Sequence, residues 1–290
     1  LKYLKPLAAI TFWGASFIAT KILLSELNPM AIIFARFFIG MLFLGAIAFV
    51  KKMDFSFRKD AHSVIVLLAV VASFHLWIQV TGMKYTSASN TGWIIGTSPI
   101  FMALIGWGFL KEKLSAVNIA GIIVAFAGLI LLITKGKFSE FNFISNKGDF
   151  LILVSSLTWA IYSFVNKKVP ESYPSLMTIF YLFALISLFL APFSITPANA
   201  AAMAHLSLPS WLSILFLGFF SSGIAYVLWS QTMQEMSSAA AGVFIYIEPF
   251  VTVITAAIVI NEQITPLLIL SGIIIIGGVV LVNWKQKTAE

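Results

Sequence analysis

Ten runs of about twenty mostly apolar residues divide this chain, and each is the length an α-helix needs to cross roughly 30 Å of hydrocarbon at about 1.5 Å per residue. In order they are residues 4–24, 29–50, 62–83, 88–110, 115–134, 149–168, 174–195, 210–232, 238–260 and 266–284. Lipid offers no hydrogen-bond partner to bare peptide groups, so runs of this kind are expected to fold as helices. Composition points the same way. Of the 290 residues, 60% are hydrophobic and 10% charged, with a mean hydropathy of +1.00; a soluble domain carries about 25% charged residues. Residues 4–24 are read as the first membrane helix and not as a cleaved leader, because the run is too long and passes into Glu26 without a small-residue cleavage site.

The formal charge of +7 would hint at nucleic acid in a soluble chain. Here the basic residues sit in short clusters between apolar runs, the pattern that orients a membrane protein, so no nucleic-acid partner is expected. With the N-terminus inside, the inner side holds Lys2, Lys5, Lys51, Lys52, Arg58, Lys59, Lys111, Lys113, Lys167, Lys168, Lys285 and Lys287. The outer side holds Lys21, Lys84, Lys135, Lys137 and Lys147, and Arg36 lies within the second run. This bias predicts a multi-pass protein of the inner (cytoplasmic) membrane with both termini in the cytoplasm. Cysteine is absent, which excludes a disulfide framework, a thiol nucleophile and a Cys-ligated metal. No cofactor and no metal are expected.

Most connections are short, so successive helices are expected as antiparallel neighbours. Two are longer: 135–148, which halves the chain, and 196–209, where a short interfacial helix is read around Ala198–His205. Sliding residues 83–131 onto 233–281 without a gap pairs Met83 with Met233, Ser87 with Ser237, Gly92 with Gly242, Pro99 with Pro249, Glu112 with Glu262 and Gly128 with Gly278. Trp13 matches Trp159 and Lys21 matches Lys167, while Pro29 and Pro174 each open the following run. Five helices per copy is an odd number, so the second copy enters the membrane from the opposite side. The expected fold is an all-α membrane protein of ten transmembrane helices in two inverted five-helix repeats, residues 1–134 and 149–290, joined by 135–148. Inverted repeats recur in secondary transporters, because exchanging the conformations of the halves opens a shared site to the other side.

The segments Trp13-Gly14-Ala15-Ser16-Phe17, Phe34-Ala35-Arg36-Phe37, Tyr85-Thr86-Ser87-Ala88, Ser98-Pro99 and Leu110-Lys111-Glu112 resemble the first half of an EamA-type protein of the drug/metabolite transporter superfamily. Trp159-Ala160-Ile161-Tyr162-Ser163, Glu248-Pro249 and Asn261-Glu262 resemble the second half, so the likeness spans nearly the whole chain. The resemblance implies a ten-helix fold, a central cavity lined by helices 1, 3, 4, 6, 8 and 9, and export of amino acids or other small metabolites. It names no substrate.

Candidate cavity residues follow from helical spacing. Trp13, Ser16, Phe17 and Thr20 share one face of the first helix, and Trp159, Tyr162 and Ser163 share one face of the sixth. Aromatic rings mixed with small polar groups suit a ligand site, the alternative being an interfacial belt. His75 and Gln79 in the third helix, Asn90, Trp93 and Thr97 in the fourth, Tyr226 and Trp229 in the eighth and Tyr246 in the ninth complete the set. Pro99 and Pro249 interrupt their helices and mark kinks or gating hinges. Glu248 falls near the midplane, where a carboxylate binds a substrate ammonium, carries a coupling proton, pairs with Arg36, or stands as a neutral structural acid. His75 is the second candidate proton carrier, against a plain inter-helix hydrogen bond. Arg36 reads as a helix lock or a carboxylate clamp.

Together these features predict a secondary transporter that exports small organic metabolites, amino acids or related amphipathic solutes, by alternating access around a central cavity, in contact with membrane lipid, as a monomer or homodimer. The alternative is a passive pore or facilitator without ion coupling. An enzyme is not expected, since no paired catalytic aspartates, His-Glu-x-x-His motif or nucleophile elbow appears, and no nucleotide-binding loop offers ATP as the energy source.

Overall fold

The computed structural model describes residues 3–110, 115–136, 147–170, 172–235 and 244–283, and every regular element among them is helical. The elements are α1 (Leu4–Leu23), α2 (Pro29–Val50), α3 (Lys59–Met83), α4 (Ala88–Ile95), α5 (Ser98–Leu110), α6 (Ala116–Thr134), α7 (Lys147–Asn166), α8 (Ser175–Ser194) and α9 (Pro197–Ala204). Then α10 (Leu208–Phe216) runs through a π-helical stretch, Leu217–Ile224, into α11 (Ala225–Glu235). Last come α12 (Glu248–Val259) and α13 (Pro266–Asn283). Among the described residues α1, α2, α3, α7, α8 and the continuous Leu208–Glu235 rod are long and apolar enough to cross a membrane, and shorter apolar helices accompany them. Glu112, Ser237 and Gly242 of the internal alignment lie outside the described residues.

Local chemistry sets the helix starts. Asn28 accepts from the Ala31 N–H at 3.0 Å ahead of Pro29, and Ser87 accepts from Asn90 N–H at 3.0 Å. Ser115 and Asn118 form a reciprocal capping box on α6. Thr196 caps α9, the short helix read between residues 198 and 205.

Two expected helices are broken. The run 88–110 divides at a turn over residues 96–97, and a matching turn at 246–247 precedes α12. Thr97 N–H bonds Ile94 O at 3.0 Å and Ile247 N–H bonds Phe244 O at 3.0 Å, equivalent pairs in the gapless alignment of the two halves. The cause is proline. Pro99 and Pro249 have no N–H for the carbonyl four residues back, and each sits in the first turn of the helix that follows. The carbonyls left over are taken by hydroxyls. Thr97 Oγ1 donates to Ile94 O at 2.6 Å, Ser98 Oγ to Ile95 O at 2.7 Å, and Ser156 Oγ reaches across from α7 to Ile94 O at 3.0 Å. Consequently Glu248 opens a helix, instead of lying eleven residues into one, and the 210–232 run carries a π segment that its apolar pattern does not reveal.

Elements from the two halves of the sequence pack on each other: α6 along α13, α3 along α7, α2 along α8, and α1 along α12. Small residues permit the contacts. A Cβ on Gly278 would lie 2.3 Å from the Ala125 backbone nitrogen, and one on Gly14 would lie 2.8 Å from Val251 Cβ, so only glycine allows these backbones to approach. At one end of the bundle Glu26, in the α1–α2 turn, accepts from Ser207 N–H at 2.9 Å, Ser207 Oγ at 2.5 Å and Ser210 Oγ at 2.7 Å. Asn28 also bonds Asn199, which ties the same turn to α9.

The serine hydrogen bonds hold the Glu26 carboxyl below its ordinary value of 4.5. A group whose folded-state pKa is depressed contributes stability above its unfolded pKa and loses it as pH falls through the folded one. Acidification through that lowered value is therefore expected to release this tether, seen as faster amide hydrogen exchange at Ser207 and Ser210, and Glu26→Gln should show that faster exchange already at pH 7.

Candidate functional site

Aromatic side chains from three long helices meet at the centre of the larger of two buried apolar clusters. Trp13 of α1 is the hub. Its ring centroid lies 5.1 Å from Trp159 of α7, 5.3 Å from Tyr226 of α11 and 5.4 Å from Trp229 of α11, edge-on to the first two. Trp159 stacks on Tyr162 at 5.1 Å and meets the His75 ring at 5.5 Å, while Phe37 and Phe183 back Tyr226. Edge-to-face and offset geometries at these distances are the favourable ones. All six of Trp13, His75, Trp159, Tyr162, Tyr226 and Trp229 are buried.

Polar groups surround the rings. Trp13 Nε1 donates to Ser221 O at 2.9 Å, inside the π-helical stretch. His75 Nδ1 lies 3.0 Å from both Ser155 O and Thr158 Oγ1, which hold the ring against α7. One turn beyond Trp159, Ser163 Oγ is buried without a hydrogen-bond partner among the described residues, and so is Trp229 Nε1. Buried donors are normally satisfied, so these two groups have capacity for a ligand. Gln79, one turn after His75, is buried as well.

The start of α12, where Glu248 lies, is tied to α1 through backbone carbonyls. Thr252 Oγ1 donates to Glu248 O at 2.9 Å and lies 3.2 Å from Gly14 O, beside Trp13. The Glu248 residue is 5% exposed, and its carboxylate forms no hydrogen bond or ion pair among the described residues. As the first residue of α12 it sits where the helix dipole favours a negative charge. Of the alternatives for Glu248, pairing with Arg36 is not made: Arg36 donates to Ser221 Oγ at 2.8 Å and Ser222 Oγ at 3.0 Å.

Other sequence candidates lie elsewhere. Phe17, Trp93 and Tyr246 belong to the second cluster, where Trp93 packs on Phe250 at 5.3 Å and Tyr246 donates to Val279 O at 3.1 Å. Ser16 Oγ returns to Trp13 O at 2.7 Å, and Thr20 is buried further along α1. Thr97 lines a small apolar crevice with Ile100, Ala125 and Leu129. Asn90 contacts Asp149 at 3.4 Å, in a network where Asp149 also accepts from Thr86 and Lys21 Nζ donates to Met83 O and Thr86 O at 2.7 Å. Sequence reasoning missed Ser221 and Ser222; the small Ser-Ser-Gly run inside an apolar stretch was the available signal.

A bundle of apolar helices with a buried aromatic and polar centre defines a multi-pass membrane protein. The chain belongs to the EamA-like transporter family, whose model matches residues 3–134 and again residues 146–284. It is 32% identical over 278 residues to an uncharacterized transporter of Archaeoglobus fulgidus, covering 94% of each chain. It is 25% identical over 202 residues to a probable terminal-alkyne amino-acid exporter of Streptantibioticus cattleyicolor, covering 70% of this chain and 66% of that one. A solved crystal structure with 18% identity superposes with a TM-score of 0.70 over 96% of this chain and 94% of its own, which shows a shared fold.

The indole N–H of Trp13 satisfies a carbonyl in the π stretch. Trp13→Phe keeps an aromatic ring but leaves Ser221 O without that donor, and is expected to cost about 1–3 kcal/mol of stability, measured as a lower midpoint of thermal unfolding in detergent.

Proposed function

We propose that this protein is a secondary transporter that exports small amphipathic organic solutes, amino acids or related metabolites, across the inner membrane by alternating access at the Trp13 cluster. The observation that carries the reading is convergence: Trp13 comes from the first half of the chain, Trp159, Tyr226 and Trp229 from the second, and the Trp229 indole N–H in that centre has no partner among the described residues. A site built at the junction of two halves changes its exposure when the halves move, which is the economy of inverted-repeat carriers. Likeness to a probable amino-acid exporter supports the substrate class.

In this reading residues 1–134 and 149–290 are two inverted five-helix repeats giving ten transmembrane passes, with both termini cytoplasmic. The paired breaks at 96–97 and 246–247, and the two separate matches of the family model, support it. Pro99 and Pro249 are the hinges: the turns before them lack the continuous backbone ladder that stiffens the flanking helices. Burial of the aromatic centre fits an occluded state of a carrier better than an open pore. Glu248 holds positive charge in transit, as a proton or as the ammonium of the solute.

In proteoliposomes the protein should show saturable counterflow of labelled against unlabelled L-leucine or L-phenylalanine, reduced at least about tenfold by Trp13→Ala, equivalent to about 1.4 kcal/mol. Linear, non-saturating flux without counterflow would establish the pore instead. An imposed pH gradient that drives flux in the wild type but not in Glu248→Gln assigns the proton; indifference to the gradient assigns the ammonium.

Inversion makes a separate prediction. Lys84 and Gln234 occupy equivalent positions in the gapless alignment, both are exposed, and the chain has no cysteine to interfere. Lys84→Cys should react with an impermeant maleimide from outside intact cells, and Gln234→Cys only after the membrane is opened. Reaction of both from the same side would end the inverted-repeat reading.

A further inference from the structure

Arg36 is a buried charge without a counter-charge. The residue is 4% exposed, and the hydrogen-bond partners of its guanidinium among the described residues are two neutral hydroxyls, Ser222 Oγ at 3.0 Å from Nε and Ser221 Oγ at 2.8 Å from a terminal nitrogen. The ion pairs of the described residues lie elsewhere, Lys5 with Glu235 and Arg58 with Asp60. Hydroxyls solvate a cation but do not neutralise it, and an intramembrane cation is retained at a large cost in desolvation.

The group is also rich in donors and poor in acceptors. A guanidinium carries five N–H groups, and two of its nitrogens are engaged here. Each serine oxygen accepts from Arg36 and keeps its own proton, which neither serine donates to any described acceptor. Successive side chains on an α-helix diverge by about 100°. The wider turn of the π form reduces that angle, so that both consecutive serines reach one guanidinium. Unused hydroxyl and guanidinium protons gathered at one point, with no anion among them, match the planar pair of oxygens of a carboxylate.

The position relates this group to the aromatic centre. Ser221 holds Arg36 through its hydroxyl and Trp13 through its carbonyl, and Phe37, the residue after Arg36, lies 5.9 Å from the Tyr226 ring. A solute whose carboxylate rested on Arg36 would lay its apolar body along Trp13 and Tyr226. We infer that Arg36, Ser221 and Ser222 form the receptor for a carboxylate on the transported solute, so that the substrate is an amino acid or apolar organic acid and not a simple amine or a neutral metabolite. This rests on the aromatic cluster being the substrate site.

Matched ligand pairs test it on the purified, full-length protein by thermal shift titration: L-phenylalanine against phenethylamine, L-leucine against isopentylamine, and 3-phenylpropionate against 3-phenylpropanol, with inorganic phosphate alone as a control. The carboxylate member of at least one pair is expected to bind about tenfold or more tightly than its partner, the discrimination expected of a charge-assisted hydrogen-bonded pair. That preference should shrink to within about twofold in Arg36→Gln and survive in part in Arg36→Lys. If Arg36→Gln does not fold, the wild-type ranking and the double variant Ser221→Ala, Ser222→Ala decide. Equal binding within the pairs, an undiminished preference in a folded Arg36→Gln, or stabilisation by phosphate equal to that by the acids overturns the carboxylate receptor and leaves the aromatic site standing. Binding by no member of any pair overturns both.

Discussion

Every peptide N–H and C=O inside lipid must find its partner within the protein, and the rest of this structure depends on that constraint. It makes each apolar run a helix and makes each proline an event. Where Pro99 and Pro249 remove a hydrogen bond the helix gives way to a two-residue turn, and at the first break the carbonyls of Ile94 and Ile95 accept from hydroxyls of Thr97, Ser98 and Ser156. One of these links crosses between helices: Ser156 reaches from α7, the helix of Trp159, to the break before α5. Thr252, inside α12, separately ties that helix to Gly14 of α1, the helix of Trp13.

Between those breaks the centre is packed tightly. Helices in lipid gain nothing from hiding apolar surface from one another, so close contact and directed polar groups must hold them. Trp13 supplies both, as the hub of an edge-to-face aromatic group and as the donor to a carbonyl of the π stretch. Around it the structure keeps features that packing alone does not require: buried donors without acceptors at Ser163 and Trp229, a carboxylate at Glu248 and a guanidinium at Arg36 that do not pair with each other.

Much of this was legible in the sequence. Helical class follows from the length of the apolar runs, and the family from ordered short motifs in both halves. Helical spacing puts Trp13 and Trp159 each on one face of its helix, because a periodicity of 3.6 residues converts directly into a face, and the structure buries both. The same reasoning failed for Phe17, which shares that face in projection yet packs with Trp93 in the second cluster. A face describes direction around one helix, and which neighbour meets it depends on crossings that no single segment encodes. Glu248 was placed in mid-helix because hydropathy does not register a two-residue turn.

What the sequence by itself determined is therefore local: a membrane as solvent, helices of spanning length, caps at Asn28, Ser87 and Ser115, and prolines where the ladder must break. Each follows from covalent geometry and the polarity of a few adjacent residues. What only the tertiary structure decided is partnership. Arg36 meets Ser221 and Ser222, some 185 residues away along the chain, and Trp13 meets Ser221 at a similar remove, because α1, α2 and the π stretch cross at one point. Side chains that far apart in sequence come together through the packing of whole helices, and the small residues that set those distances leave no local pattern that names the partner.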